Sequence, residues 1–142
     1  LRSPQTLVHL VTLLEEMPVQ ETADGVRDLQ AIGLRVGAVI VNMVREAVLP
    51  VRRLAAAGKG NLDVDEVGAG LAAAGLPSGT AVVDALLMEA REHSDRLALE
   101  KRERVAVGEI GLPVVELPAL ASGVDLGGLY LLAERLEEQG VA

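Results

Sequence analysis

Thr6–Asn42 reads TLVHLVTLLEEMPVQETADGVRDLQAIGLRVGAVIVN, and the fold class turns on this stretch. Thr6–Leu13 is a continuous apolar run rich in β-branched residues, the pattern of a strand buried on both faces. Two acids, Glu15 and Glu16, close it. Pro18 suits the first turn of a helix, where a missing N–H costs nothing. That helix continues with Val19, Ala23, Val26 and Leu29 or Gln30 along one stripe, and Gly33 ends it as a C-terminal glycine. Val36–Asn42 is a second buried strand. Strand, helix and strand within about 37 residues make a βαβ unit. Its strands are expected to be parallel and its crossover right-handed.

Outward from that unit, the middle of the chain is helical. A short helix lies within Glu46–Gly58, with Pro50 near its start. A second lies within Asn61–Pro77, entered through Asp63 or Asp65 as N-cap. The longest runs from about Thr80 to Val107. Its apolar stripe is Val83, Leu86, Leu87, Ala90, Leu97 and Val105, and its outer face carries the (i, i+4) pairs Glu92–Arg96 and Glu100–Arg104. Leu112–Pro118 is a third strand. The loop ALASGVD (119–125) then leads to a last amphipathic helix within 126–140. This order predicts an α/β fold with a three-stranded parallel sheet and flanking helices. The expected organisation is a single α/β domain over residues 1–142 with a helical insertion at about 46–108. Three parallel strands form a thin sheet, and buried parallel strands want neighbours on both sides. With LRSP leading straight into the first strand, the chain reads as a piece of something longer, further strands coming from an N-terminal half or another chain.

Composition narrows the function. The chain has 142 residues, half of them hydrophobic, yet its one aromatic residue is Tyr130, so Leu, Val, Ala and Ile must build the core. A formal net charge of −8 argues against nucleic acid, whose phosphates demand a basic footprint, and against an anionic membrane surface. There is no cysteine, hence no disulfide and no thiolate metal site. No apolar run approaches the ~20 residues of a membrane span, and a cytoplasmic protein is the default expectation.

In open parallel sheets, ligands bind outside the carboxyl ends of the strands. Here those ends carry Glu15 and Glu16, then Asn42, then Glu116, Leu117, Pro118, Ala119 and Leu120. Asn42 is the most suggestive: a primary amide matches the N6 and N7 pattern of adenine. Turn capping is the competing role, and spacing alone favours it. Pro118 equally serves as a strand terminator. Glu15 and Glu16 are more readily a solvated strand end or partners of a helix dipole than catalytic acids. Other motifs fail. Gly58-Lys59-Gly60 lacks the glycine spacing and the Ser or Thr of a P-loop. Lys101 lies mid-helix. His9 sits inside a strand as a packed, hydrogen-bonded residue, His93 lies on the long helix, and the two do not share a metal-ligand spacing. No Gly-x-Ser-x-Gly offers a hydrolase nucleophile. Nothing here supports complete catalysis.

Three blocks carry a family resemblance. HLVTLLEEMPVQET, with Glu15 or Glu16 and Glu21-Thr22, LQAIGLRVGAVIVNMV, and LPVVELPALASGVDLGGLYLLAERL together resemble the C-terminal part of the ArsA family. That family comprises arsenite-pump-driving, anion-transporting ATPases, their bacterial homologues and the eukaryotic ATPase that targets tail-anchored proteins. The resemblance covers nearly the whole chain, and the Ala, Gly and Arg usage is similar to that of actinobacterial members. It implies a P-loop-type layered fold, with Asn42 contacting adenine and Pro118, Ala119 and Leu120 lining the base from the other side. It implies ATP as cofactor, with Mg²⁺ held through an N-terminal P-loop half, and a homodimer or a heterodimer with a paralogous ATPase. The P-loop, its lysine and both switch regions are not in this chain. Without cysteine, arsenite coordination by thiolates is excluded for this segment, as is the zinc site of some dimeric relatives. Two other readings stand beside this one: a stand-alone protein-interaction module without nucleotide chemistry, and an unrelated flavodoxin-like ligand-binding domain.

Overall fold

A computed structural model of the chain describes residue 3 and residues 6–120 and 123–140. The lead-in at Leu1, Arg2 and Pro4 and the Ala121–Ser122 part of the last loop lie outside the described residues. The elements follow the order β1 (Val8–Thr12), α1 (Glu16–Ala31), β2 (Val36–Val44), α2 (Val51–Gly58), α3 (Val64–Ala73), α4 (Thr80–Glu109), β3 (Val114–Pro118) and α5 (Leu126–Glu138). They form two compact units, one of Leu1–Glu46 with Leu99–Ala142 and the other of Ala47–Ala98.

The first unit is an α/β layer. Its sheet has the order β1-β2-β3 and both pairings are parallel. Val11 faces Ile40 in one ladder, and Ile40 faces Val115 in the other. The valines of β2 make it the buried centre: Val39 and Val41 are fully buried and join Leu14, Val19 and Val107 in the core. Burying one such side chain is worth roughly 1.5–3 kcal/mol. Helix α1 packs on β1 and β2, and α5 packs on β3. The start of α1 has Glu15 in an extended N-cap position without a side-chain cap, so Pro18 falls in the first turn, as expected. Thr22 is buried on the inner stripe, and its hydroxyl donates to the Pro18 carbonyl at 2.7 Å, which removes the cost of burying it. Gly33 ends the helix at φ 79°, with Gly33 N–H donating to Gln30 O and Leu34 N–H to Leu29 O. This double bond pattern requires the left-handed conformation that glycine supplies.

Several expectations need correction. Strand β1 is not buried on both faces: Val11 is 63% exposed and His9 is exposed too, because β1 is an edge strand. Among the described residues His9 has no hydrogen-bond partner. Its imidazole rests on Gly37 so closely that a Cβ there would lie 2.7 Å from His9 Cε1. Strand β2 does not end at Asn42 but runs on to Val44. In α4 the Glu92–Arg96 pair forms at 3.3 Å, but Glu100–Arg104 does not. Glu100 turns inward to Arg45, and Arg104 reaches Glu116 on β3. The stripe is rotated accordingly: Val105 is 62% exposed, whereas Glu100, Glu103 and Val107 are buried. A tertiary cation has drawn a glutamate onto the inner face, which charge spacing within one helix cannot register.

The second unit is helical. Asp63 is the N-cap of α3, its carboxylate accepting from the Asp65 and Glu66 N–H groups. Ser94 Oγ donates to Leu54 O at 3.0 Å, and Gly58 lies against Ser94, where a Cβ would come within 2.8 Å of the hydroxyl. Gly58-Lys59-Gly60 is simply the end of α2: Lys59 is its C-cap and Gly60 follows at φ 68°. No helix among the described residues is long and apolar enough to cross a membrane.

Candidate functional site

The carboxyl edge of the sheet is built by the last residues of β2 and β3. At the end of β2 the ladder with β3 slips between Val41 and Val44. Met43 sits in the slip at φ 57°, the one positive φ outside glycine among the described residues. Such a conformation is strained for a side chain with a Cβ. Asn42 supports it locally, Oδ1 accepting from the Met43 N–H at 2.9 Å. An amide oxygen has a second lone pair, and the Asn42 NH₂ has no partner among the described residues. Thus the turn role and a ligand role are compatible at this side chain.

Asn42 opens onto a small cleft of ≈ 50 Å³ shared with Leu14 and Glu15 from the end of β1, and with Arg45 and Glu100. Glu100 is buried. Its Oε1 accepts from Arg45 Nη1 at 2.7 Å and its Oε2 from the Arg45 N–H at 3.4 Å. One carboxylate therefore holds both the main chain and the guanidinium of the residue that follows β2.

Pro118, Ala119 and Leu120 come together elsewhere, along a groove of ≈ 630 Å³ with Val44, Glu46 and Leu131. Ala119 N–H donates to Val44 O at 2.9 Å, which ties together the two strand ends that line the groove. Asn42 is not part of this groove: it lies two residues before Val44, in the adjoining cleft. Glu15 shares the cleft with Asn42, while Glu16 is exposed in the first turn of α1. Charges around the groove are mostly committed. Glu116 accepts from Arg104 at 2.5 and 3.2 Å, a contact that raises the Arg104 pKa above its ordinary value despite partial burial. Arg135 pairs with Glu138 at 2.8 Å. Gln139 of the groove wall hydrogen-bonds the Glu116 main chain, its Oε1 accepting from the N–H and its Nε2 donating to the O, each at 3.0 Å. Sequence reasoning missed Arg45, Glu46, Glu100 and Gln139. Arg45 and Glu46 lie directly beyond the strand that ends in the asparagine block, a position signal that was available. The other two act through partners distant in sequence.

The second unit holds a separate concavity of ≈ 430 Å³ among α2, α3 and α4, lined by Val48, Leu49, Leu62, Val67, Leu86 and Leu87. Its polar rim is internally paired: Arg53 with Glu66, and the Val48 N–H donating to His93 Nε2 at 3.4 Å. Among the described residues no three His, Cys, Asp or Glu side chains cluster as a metal site.

These features define an open parallel α/β domain with a ligand-sized groove at the carboxyl edge of its sheet. No family model matches the chain. It is 43% identical over 141 residues to ATPase BagA of Mycobacterium tuberculosis (strain ATCC 25618 / H37Rv), covering 99% of this chain and 42% of that protein. The same figures hold for the Mycobacterium bovis protein named "Putative ATPase Mb3704". The chain therefore spans about two-fifths of the length of the curated relatives it matches, and those relatives are named ATPases.

Proposed function

We propose that this chain is the C-terminal part of a soluble, cytoplasmic ArsA-type ATPase and supplies its adenine-binding edge. The observation that carries the reading is the 43% identity, running through 99% of the chain, to proteins named ATPases. The groove agrees in size and chemistry. Its ≈ 630 Å³ lies within the ~300–1,000 Å³ of small-molecule sites, and its Val44, Pro118, Ala119 and Leu120 walls suit a flat base. Asn42, in the next cleft, would read the N6 and N7 edge. The groove fits a base and a sugar but not a triphosphate with Mg²⁺: its acids outnumber its cations, and the sequence has no P-loop to cradle phosphates. Those elements would come from an N-terminal P-loop half, with hydrolysis in a homodimer or a heterodimer with a paralogous ATPase.

The reading is tested by Asn42→Ala in a polypeptide joining this chain to its P-loop half. Calorimetric titration should show ATP affinity lower by ~1–3 kcal/mol, roughly ten- to a hundredfold, with GTP less affected. Unchanged ATP affinity would remove the adenine assignment. A second reading, a protein-interaction module, is favoured by one observation: in the helical unit Val48, which lines the apolar concavity, is 78% exposed, and Val51 is 83% exposed. Retention of full function by a variant unable to bind nucleotide would support it.

A further inference from the structure

The groove at the carboxyl edge carries one charge without a counterpart. Glu116 is held by Arg104 and Arg135 by Glu138, whereas Glu46 has no hydrogen-bond or ion-pair partner among the described residues. It stands two residues beyond Val44, whose carbonyl accepts from the Ala119 N–H. An ionised carboxylate accepts hydrogen bonds and donates none. It repels phosphate, and it binds neutral donors through short charge-assisted bonds. The groove thus has apolar lining for a flat group, from Val44, Pro118, Ala119 and Leu120, and one uncommitted acceptor for hydroxyls in Glu46.

We propose that Glu46 is the ribose-reading residue of this groove, its carboxylate accepting from the sugar hydroxyls of a bound adenine nucleoside. The assignment rests on the adenine reading above and adds to it the sugar as a determinant of specificity. A carboxylate on ribose hydroxyls is a known solution in dinucleotide-binding sheets, and Glu46 offers the same chemistry just beyond a strand end. It also orients the ligand: the base lies over Pro118–Leu120, the sugar lies towards Glu46, and the phosphates point away from the acids.

The test is an amide-shift titration, by nuclear magnetic resonance, of the polypeptide joining this chain to its P-loop half, with adenosine, 2′,3′-dideoxyadenosine and guanosine. Adenosine should shift Val44, Glu46, Ala119 and Leu120 and bind about tenfold tighter than the dideoxy compound, the scale of one hydrogen bond to a charged group. Glu46→Ala should erase that preference while leaving affinity for the dideoxy compound unchanged. Glu46 is exposed, and the remaining amide spectrum verifies the fold. Equal binding of both adenosines by the wild type, or a preference that survives in Glu46→Ala, overturns the ribose assignment and leaves the adenine reading standing. No adenosine shift at Val44 or Ala119, or equal shifts by guanosine that Asn42→Ala does not alter, overturns the adenine reading as well.

Discussion

Glu100 and Arg45, 55 residues apart in sequence, meet at 2.7 Å through Oε1 and Nη1, and the same carboxylate accepts from the Arg45 N–H. The Glu100 side chain is 4% exposed and that of Arg45 is 40% exposed. Buried carboxylates survive in folded proteins when paired and are costly when their partner is removed. Arg45→Met should therefore destabilise the chain by about 2–3 kcal/mol, less than for a fully buried pair because solvent reaches the guanidinium. Glu100→Gln should cost less. The double variant Arg45→Met/Glu100→Gln should cost less than the two single losses added together. Urea denaturation of the four proteins gives the coupling, and strict additivity would show the contact to be idle.

The amide of Gln139 should matter as a substitute strand. It meets Glu116 N–H and O, and its Nε2 also donates to Arg135 O at 2.9 Å. Gln139→Ala returns these groups to water and should cost about 1–2 kcal/mol. Gln139→Glu keeps the acceptor and loses both donations, so it should fall between the two. Thermal unfolding of the three proteins orders them.

Acid should weaken the helical unit at a definite place. Its hydrogen bond to Arg53, with the charge of Arg53 second, lowers the Glu66 pKa below the ordinary value of 4.5. A lowered folded-state value means that the contribution is fully present above the unfolded pKa and is lost as pH falls through the folded one. Glu66 should titrate below the other exposed carboxylates in a carboxyl-carbon titration. Arg53→Gln should bring it back among them.

This chain by itself should not turn over ATP. Phosphoryl transfer depends on a P-loop, its lysine and Mg²⁺ for positioning and charge stabilisation, and the sequence contains no GxxxxGK[ST] segment. Phosphate release by the purified chain, dependent on Mg²⁺ and abolished by a substitution within it, would contradict this.

Met43→Gly should stabilise the chain by about 0.5–1 kcal/mol, since glycine adopts a φ of 57° without the Cβ penalty. Met43 is 53% exposed, so removing its side chain sacrifices little packing. A lower melting temperature would mean that the thioether packs more than its exposure suggests.

How much of this was legible in sequence follows from the range of each interaction. The βαβ unit was readable because Val36–Val41, Pro18 and Gly33 act through local propensity and burial, and parallel order follows from connection length. The inner face of α4 was misread at Glu100 because its partner, Arg45, is remote, and i, i+4 spacing offered Arg104 as a plausible substitute. The end of β2 was placed at Asn42 because asparagine favours turns. The ladder slip at Met43 lets the strand continue for two residues. As a result Asn42 and Pro118–Leu120, which the sequence placed at one edge, line neighbouring depressions instead of one. Gln139 gave no signal, since nothing in a helix end announces that its amide will imitate a strand.

The sheet has one side capped by that amide and the other, β1, bare among the described residues. In the language of polymer growth, each molecule is monofunctional. Two copies joined β1 to β1 would expose only capped ends, and addition would terminate at two. A strand supplied by a longer chain would consume the single reactive end, leaving no route to a fibre. Replacing Gln139 changes the functionality from one to two, and with it the possible outcome from a closed pair to an open-ended stack.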